Sequence, residues 1–83
     1  MSYRFEAVVS APTGKLSREE RGEIRDYIHE QRIEAGDAEK ALRQLFKKLQ
    51  GKNFSLEGSG KAQFFLPDYG TACLVKVKAY EEA

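Results

Sequence analysis

Residues 37–50 read DAEKALRQLFKKLQ, and this stretch decides the fold that we expect for the chain. Apolar residues recur in it every three or four positions, which is the spacing of a single stripe along an α-helix. Asp37 can cap the start of such a helix, and Gly51 follows its end, where a left-handed residue often terminates a helix. We therefore predict an amphipathic helix with a basic outer side. Its apolar stripe comprises Ala38, Ala41, Leu42, Leu45 and Leu49.

The size and composition of the chain are those of one small folded domain. It has 83 residues, of which 41% are hydrophobic and 33% charged, and this balance is typical of globular rather than disordered proteins. We expect a single domain over residues 1–83. A domain this small is close to the size at which stability needs help from a partner, so a homodimer is one alternative.

The cysteine content and the hydropathy indicate a cytoplasmic protein. Cys73 is the one cysteine, so it cannot form a disulfide within the chain, and its apolar neighbours favour a strand interior. No window reaches the roughly 18 apolar residues that a membrane span needs. The first residues, MSYRFEAVVSAP, lack the charged start and long apolar run of a signal peptide.

The net charge of +1 hides an uneven distribution. Residues 1–39 carry six Lys or Arg against nine Asp or Glu, residues 40–80 carry eight against two, and two glutamates follow. The second half is therefore the basic part, and it can attract a polyanion or an acidic protein surface. The overall excess is smaller than most nucleic-acid-binding domains show.

Upstream of the amphipathic helix we predict a strand and a first helix. Apolar residues alternate over 3–9, which indicates a half-buried strand. Ser17 and Glu20 form a capping box, so the first helix should begin at Ser17. Gly22 lies inside this helix, where it can allow a close backbone approach. The apolar side of the helix comprises Leu16, Ile24, Tyr27, Ile28 and Ile33. Residues 35–37 then form a turn, which predicts an antiparallel helical hairpin.

Downstream of the amphipathic helix the hydrophobic period changes to two. Three strands follow, around Phe54, around Phe64 and over residues 71–80, and glycine- or proline-containing turns join them. Since the first strand must also pair, we predict a four-stranded antiparallel sheet. The helical hairpin should cover one face of it. The expected fold is a two-layer α+β domain in the order β-α-α-β-β-β.

The residue types that carry catalysis or bind metals are sparse. The one histidine, His29, lies in the polar part of the first helix, where we expect it to be solvated. The flanks of Cys73 favour a buried thiol over a reactive thiolate. We therefore expect no enzyme activity, no metal site and no cofactor.

The uncovered face of the sheet is the main candidate site. It should carry more apolar side chains than solvation requires, which often marks an interface. We predict a protein-binding surface there, together with a tyrosine in the last turn, made of Val8, Phe65, Tyr69, Leu74 and Tyr80. The leading hypothesis is a non-enzymatic binding protein, acting as an adaptor, an inhibitor or a homodimer. Compact chains of this kind are common among bacterial and phage accessory factors.

The alternative hypothesis is a DNA- or RNA-binding domain that uses the second helix. Basic residues follow the outer side of this helix and flank the hairpin after it, in the order of a recognition helix followed by a β-wing. The candidate contacts are Lys40, Arg43, Lys47, Lys48, Lys52 and Lys61. A helix that backs a sheet also carries Lys and Arg outside for solubility alone.

Overall fold

A computed structural model describes residues 1–11, 16–67 and 73–82 of the chain. Five strands and two helices lie within these ranges. In chain order they are β1 (Ser2–Ser10), α1 (Arg18–Glu30), β2 (Ile33–Glu34), α2 (Ala38–Lys48), β3 (Lys52–Leu56), β4 (Lys61–Phe65) and β5 (Leu74–Glu82). The predicted α+β class is confirmed.

Both helices begin where the capping residues predict. The hydroxyl oxygen of Ser17 accepts a hydrogen bond from the Glu20 backbone N–H at 3.0 Å, and the Glu20 carboxylate accepts one from the Ser17 N–H at 3.1 Å. This is the predicted capping box. The Asp37 carboxylate caps α2 by accepting the backbone N–H of Lys40 at 2.8 Å. Each cap accepts a hydrogen bond from a backbone N–H of the first helical turn, which has no acceptor within the helix.

The end of α2 differs from the prediction by one residue. Gln50, not Gly51, has the left-handed backbone, with φ of 55°. The Gly51 N–H donates to the Phe46 carbonyl and the Gln50 N–H to the Lys47 carbonyl, at 3.0 and 3.1 Å, which is the hydrogen-bond pattern of a Schellman motif. Gly51 is needed for a different reason. A Cβ atom there would lie 2.7 Å from the Phe64 ring and 2.8 Å from the Phe46 ring.

The prediction of four strands was wrong, because a fifth strand lies between the helices. Residues 33–34 form β2, which pairs with the start of β1 through Ile33 opposite Tyr3 and Glu34 opposite Ser2. A strand of two residues is too short to show an alternating pattern, and Ile33 continued the apolar side of the first helix in the sequence. The element order is therefore β-α-β-α-β-β-β.

The sheet places the first and last strands at its centre. Its order is β2-β1-β5-β4-β3, and all neighbours are antiparallel. β1 and β5 pair over nine residues each, from Ser2 opposite Glu82 to Ser10 opposite Leu74. The first strand thus joins the other strands, as expected, and it does so between β2 and β5.

The two helices do not cover the sheet as a packed hairpin. α2 contacts β2, β3, β4 and β5, whereas α1 packs along β1. Leu42 and Leu45 of α2 are fully buried, as are Phe64 and Val75 of the sheet and Ile28 of α1. The fully buried aliphatic and aromatic side chains each contribute roughly 1.5–3 kcal/mol. The two helices therefore do not form the predicted antiparallel hairpin. β2 separates them in the chain, and α1 packs against β1.

Candidate protein-docking face

The outer face of the sheet carries a contiguous apolar cluster. Phe65 of β4 lies directly opposite Leu74 of β5, and Val8 of β1 lies opposite Lys76, diagonal to Leu74. Directly opposite side chains on one face of a sheet pack against each other, and diagonal neighbours lie about 7–8 Å apart, within reach of long side chains. Val8 is 64% exposed, and Phe65 and Leu74 are half-buried. We call Val8, Phe65 and Leu74 the apolar cluster.

Tyr80 does not join this cluster. It lies near the other end of β5, opposite Arg4, and Lys76 and Lys78 stand between it and Leu74. The Arg4 guanidinium carbon lies 4.3 Å from the centre of the Tyr80 ring, and the Lys78 ammonium lies 4.9 Å from it. Tyr80 is therefore a cation–π platform rather than an apolar contact. Tyr69, the fifth predicted residue, lies outside the described residues.

Three lysines occupy the middle of the outer face. Lys61 of β4 is directly opposite Lys78 of β5, and Lys76 is two residues from Lys78. Like charges placed directly opposite each other weaken a sheet. None of the five ion pairs in the described part of the chain includes these lysines. The sheet thus holds three ammonium groups without a carboxylate partner in that part of the molecule.

The lysines line a shallow concavity of about 540 Å³. It crosses the sheet from β1 to β4, with His29 of α1 beside β1 and Glu57, which follows β3, on the far side. Its lining comprises Glu6, Ala7, Val8, His29, Glu57, Lys61, Ala62, Lys76, Val77 and Lys78. A concave surface with cationic side chains in its centre suits an acidic convex partner.

One of the two glutamates that line the concavity, Glu6, already has a cationic partner. The Glu6 carboxylate accepts a hydrogen bond from Arg4 at 3.0 Å. This bond, with the positive charge of Arg4, holds the pKa of Glu6 below its ordinary value, against the smaller opposing effect of desolvation. Glu6 therefore stays ionised and pairs with Arg4, and the lysines remain available to other carboxylates.

The six predicted nucleic-acid contacts do not form one surface. Lys40, Arg43, Lys47 and Lys48 are exposed along α2, but Lys61 lies on the outer face of the sheet, in the concavity. Lys52 lies in the edge strand β3, opposite Phe65. The hairpin of β3 and β4 belongs to the five-stranded sheet rather than projecting from it as a wing.

Part of the basic side of α2 is engaged within the molecule. The Arg43 Nε atom donates to the Glu39 carboxylate at 3.1 Å, and its guanidinium carbon lies 4.8 Å from the centre of the Phe54 ring. Lys48 donates to the side-chain oxygen of Gln31. Since Arg and Lys stems cover apolar rings while their heads stay in water, these contacts also fit a purely structural role.

Of the two candidate catalytic groups, His29 lines the concavity and Cys73 does not. Cys73 is fully buried, and its burial raises the pKa of its thiol. Among residues 1–11, 16–67 and 73–82, no group of three or more His, Cys, Asp or Glu could hold a metal ion. No helix in these ranges is long and apolar enough to cross a membrane.

Two features went unrecognised in the sequence. His29 is exposed, as expected, and its Nε2 atom also accepts a hydrogen bond from the Ala7 backbone N–H at 3.2 Å. Arg18, Arg21 and Arg25 line a groove along β1. Their spacing of three and four residues places them on one helix face, and that spacing was the available signal.

Comparisons with known proteins yield no relative from which a role could be transferred. No family model, curated protein or solved structure matches the chain.

Proposed function

We propose that the protein is a binding protein that docks an acidic surface of another protein on the outer face of its sheet. The observation that carries the proposal is the apolar cluster of Val8, Phe65 and Leu74, bordered by lysines that have no carboxylate partner in the described part of the chain. A desolvated apolar centre with a charged border is the usual anatomy of a protein interface.

The two parts of this face have different roles in the proposal. The apolar cluster supplies affinity, because it loses contact with water when a partner covers it. The lysines supply orientation and speed, because complementary charges steer the encounter and reject like-charged partners. The partner should therefore present an apolar side chain beside two or more carboxylates. The single buried thiol of Cys73 is compatible with the cytoplasm as the place of action.

The test is retention of a partner from an extract by the immobilised protein and two variants. Val8→Asp places a carboxylate in the apolar cluster at a position exposed enough to leave the fold intact. The double variant Arg43→Glu with Lys47→Glu is the matched control on α2. We expect the partner to be lost with Val8→Asp and kept with the control. Retention by Val8→Asp together with loss in the control would overturn the proposal.

A second copy of the chain is another partner that the same variants can identify. Light scattering in line with size exclusion measures the mass of the wild type at low and moderate salt. A dimer that persists in salt and dissociates in Val8→Asp would assign the face to self-association. A monomer at all concentrations would leave a different protein as the partner.

Nucleic-acid binding is the second candidate, and the exposed row of Lys40, Arg43, Lys47 and Lys48 on α2 favours it. Phosphate contacts make such binding fall steeply as salt rises. A random-sequence duplex and a single strand are therefore added in the same scattering experiment. A mass shift that collapses with salt and disappears in the Arg43→Glu, Lys47→Glu variant would establish this function in place of the first.

A further inference from the structure

The second half of β1 has an open edge. β2 pairs with β1 only at Ser2 and Tyr3, and in the described part of the chain no other strand continues on that side. Backbone groups of alternate residues point to the same side of a strand. Tyr3 faces β2 and Ala7 donates to His29 on that side, so Val9 directs its N–H and C=O there as well.

A groove of about 400 Å³ runs between this edge and α1. Ala7, Val8 and Val9 form its strand wall, and Arg18, Arg21, Gly22 and Arg25 form its helix wall. A Cβ at Gly22 would have the Arg25 guanidinium as its nearest neighbour, at 3.9 Å, so the helix wall has open space at this position. Within the described residues, no backbone atom from outside α1 lies within 4 Å of that Cβ, so the expected close backbone approach at Gly22 is not found.

The helix wall of the groove is cationic. Three arginines and no carboxylate from the described ranges line it. Arg25 shares its charge with exposed Asp26 at 3.3 Å, while Arg18 takes part in none of the ion pairs found in those ranges. The Nε atom of Arg21 is buried and donates to no group there. A buried donor without an acceptor is costly, and a ligand carboxylate beside Arg21 is one way to relieve that cost.

We propose that this groove binds an extended acidic segment of a partner protein, which adds to the sheet as a strand beside β1. Main-chain hydrogen bonds to Val9 and to the Ala7 carbonyl would hold the backbone of the segment, as in other cases of strand addition. Its Asp or Glu side chains pair with Arg18, Arg21 and Arg25, since guanidinium groups bind carboxylates in a bidentate manner.

The dimensions of the groove suit such a segment. Arg18 and Arg25 are seven residues apart, which is about 10 Å along a helix at 1.5 Å per residue. Four residues of extended chain, such as Ala7–Ser10 of β1, span the same distance, about 10 Å, in three steps of about 3.3 Å. A short peptide can therefore meet the strand edge and all three arginines together. A nucleic acid could pair with the arginines but would leave the strand edge unused, so a peptide is the better match.

This site shares Val8 with the apolar cluster, but its arginines and the free edge of β1 lie outside that cluster, so the proposal holds whether or not the outer face docks a protein. It is tested with a fluorescent, capped hexapeptide that alternates Glu and Val. We expect the double variant Arg18→Gln with Arg25→Gln to weaken binding by at least about tenfold, since two charge-assisted contacts are lost. Arg43→Gln on α2 removes one exposed arginine elsewhere and should leave the affinity unchanged.

Two further arms distinguish strand addition from simple charge attraction. Bound peptide should slow hydrogen exchange of the Val9 amide, and N-methylation of the peptide backbone should weaken binding, because it removes main-chain donors. Equal binding of the N-methylated peptide, equal binding of a thymidine oligonucleotide of the same charge, equal loss in Arg43→Gln, or no binding at millimolar peptide would each overturn the proposal.

Discussion

The Nε2 atom of His29 lies 3.2 Å from the backbone nitrogen of Ala7 and accepts its hydrogen bond. A helix side chain thus takes the position that a neighbouring strand would occupy, at the point where β2 has already ended. This bond needs the unprotonated Nε2 atom, with the ring proton on Nδ1. It fixes the last turn of α1 against the middle of β1.

His29→Ala should lower the free energy of unfolding by about 1 kcal/mol, because the Ala7 N–H loses its acceptor. Hydrogen exchange of the Ala7 amide should accelerate at the same time. Urea unfolding and exchange measured by NMR report these two effects. Glu30→Ala, at the exposed neighbouring position, is the control and should change neither. Unaltered Ala7 exchange in His29→Ala would show that the bond is not formed in solution.

Gly51→Ala should destabilise the protein by roughly 1–3 kcal/mol, the usual range for overpacking. The added methyl group cannot fit between Phe46 and Phe64, whose ring carbons would lie 2.8 and 2.7 Å from it. Thermal unfolding followed by circular dichroism measures the change. A variant as stable as the wild type would mean that the two rings move apart freely.

Gln50→Gly should raise the free energy of unfolding by about 1 kcal/mol, in contrast to Gly51→Ala. Gln50 has a left-handed backbone, which glycine adopts without steric cost. The two substitutions concern adjacent residues of one helix end, so the same thermal assay compares them directly. Destabilisation by Gln50→Gly would indicate that the Gln50 side chain makes contacts of greater weight than its backbone strain.

Gly22→Ala should stabilise α1 by about 0.5–1 kcal/mol, since alanine is the better helix former and the new methyl group meets only Arg25, at 3.9 Å. The matched control is Gly58→Ala. Gly58 has φ of 123°, which alanine adopts only with strain, so this variant should lose stability. Chemical denaturation of both variants checks the signs. A loss in Gly22→Ala would mean that the groove beside it closes in solution.

The pKa of Glu6 should lie below the ordinary 4.5 because of its hydrogen bond with Arg4. A lowered carboxyl pKa contributes stability above pH 4.5, the unfolded value, and this contribution is lost as pH falls through the folded pKa. Arg4→Leu should therefore raise the pKa of Glu6 in an NMR titration of its carboxyl carbon. Arg43→Leu, whose carboxylate partner is Glu39, should leave the Glu6 titration unchanged.

Local sequence patterns were enough to predict most of the helices and strands. The capping box at Ser17 and the apolar stripe of α2 placed both helices, and alternation placed the longer strands. β2 escaped detection because two residues carry no period. The strand order depends on pairing between segments that are distant in the chain. For this reason neither the order nor the packing of α1 along β1 could be derived from the sequence of any one segment.

The candidate surfaces could also be predicted only as far as local patterns allow. Alternation was enough to place Val8, Phe65 and Leu74 outward, but only the register that sets Phe65 opposite Leu74 brings them together. The register also moves Tyr80 away from them. The arginine groove arises where one helix meets a strand edge. The spacing of the arginines shows that they share a helix face, but no short stretch of sequence shows which strand edge that face meets.

The central position of β1 and β5 has a consequence for how the chain acquires its structure. Their pairing closes a loop of 63 residues, 11–73, and loop closure of this length costs about 4 kcal/mol of chain entropy. The hairpin of β3 and β4 and the turns of α2 can form early from near neighbours, whereas β1 must wait for the last strand to be synthesised. A nascent chain that lacks β5 exposes the inner edges of both β1 and β4, and in that interval it is most prone to aggregate.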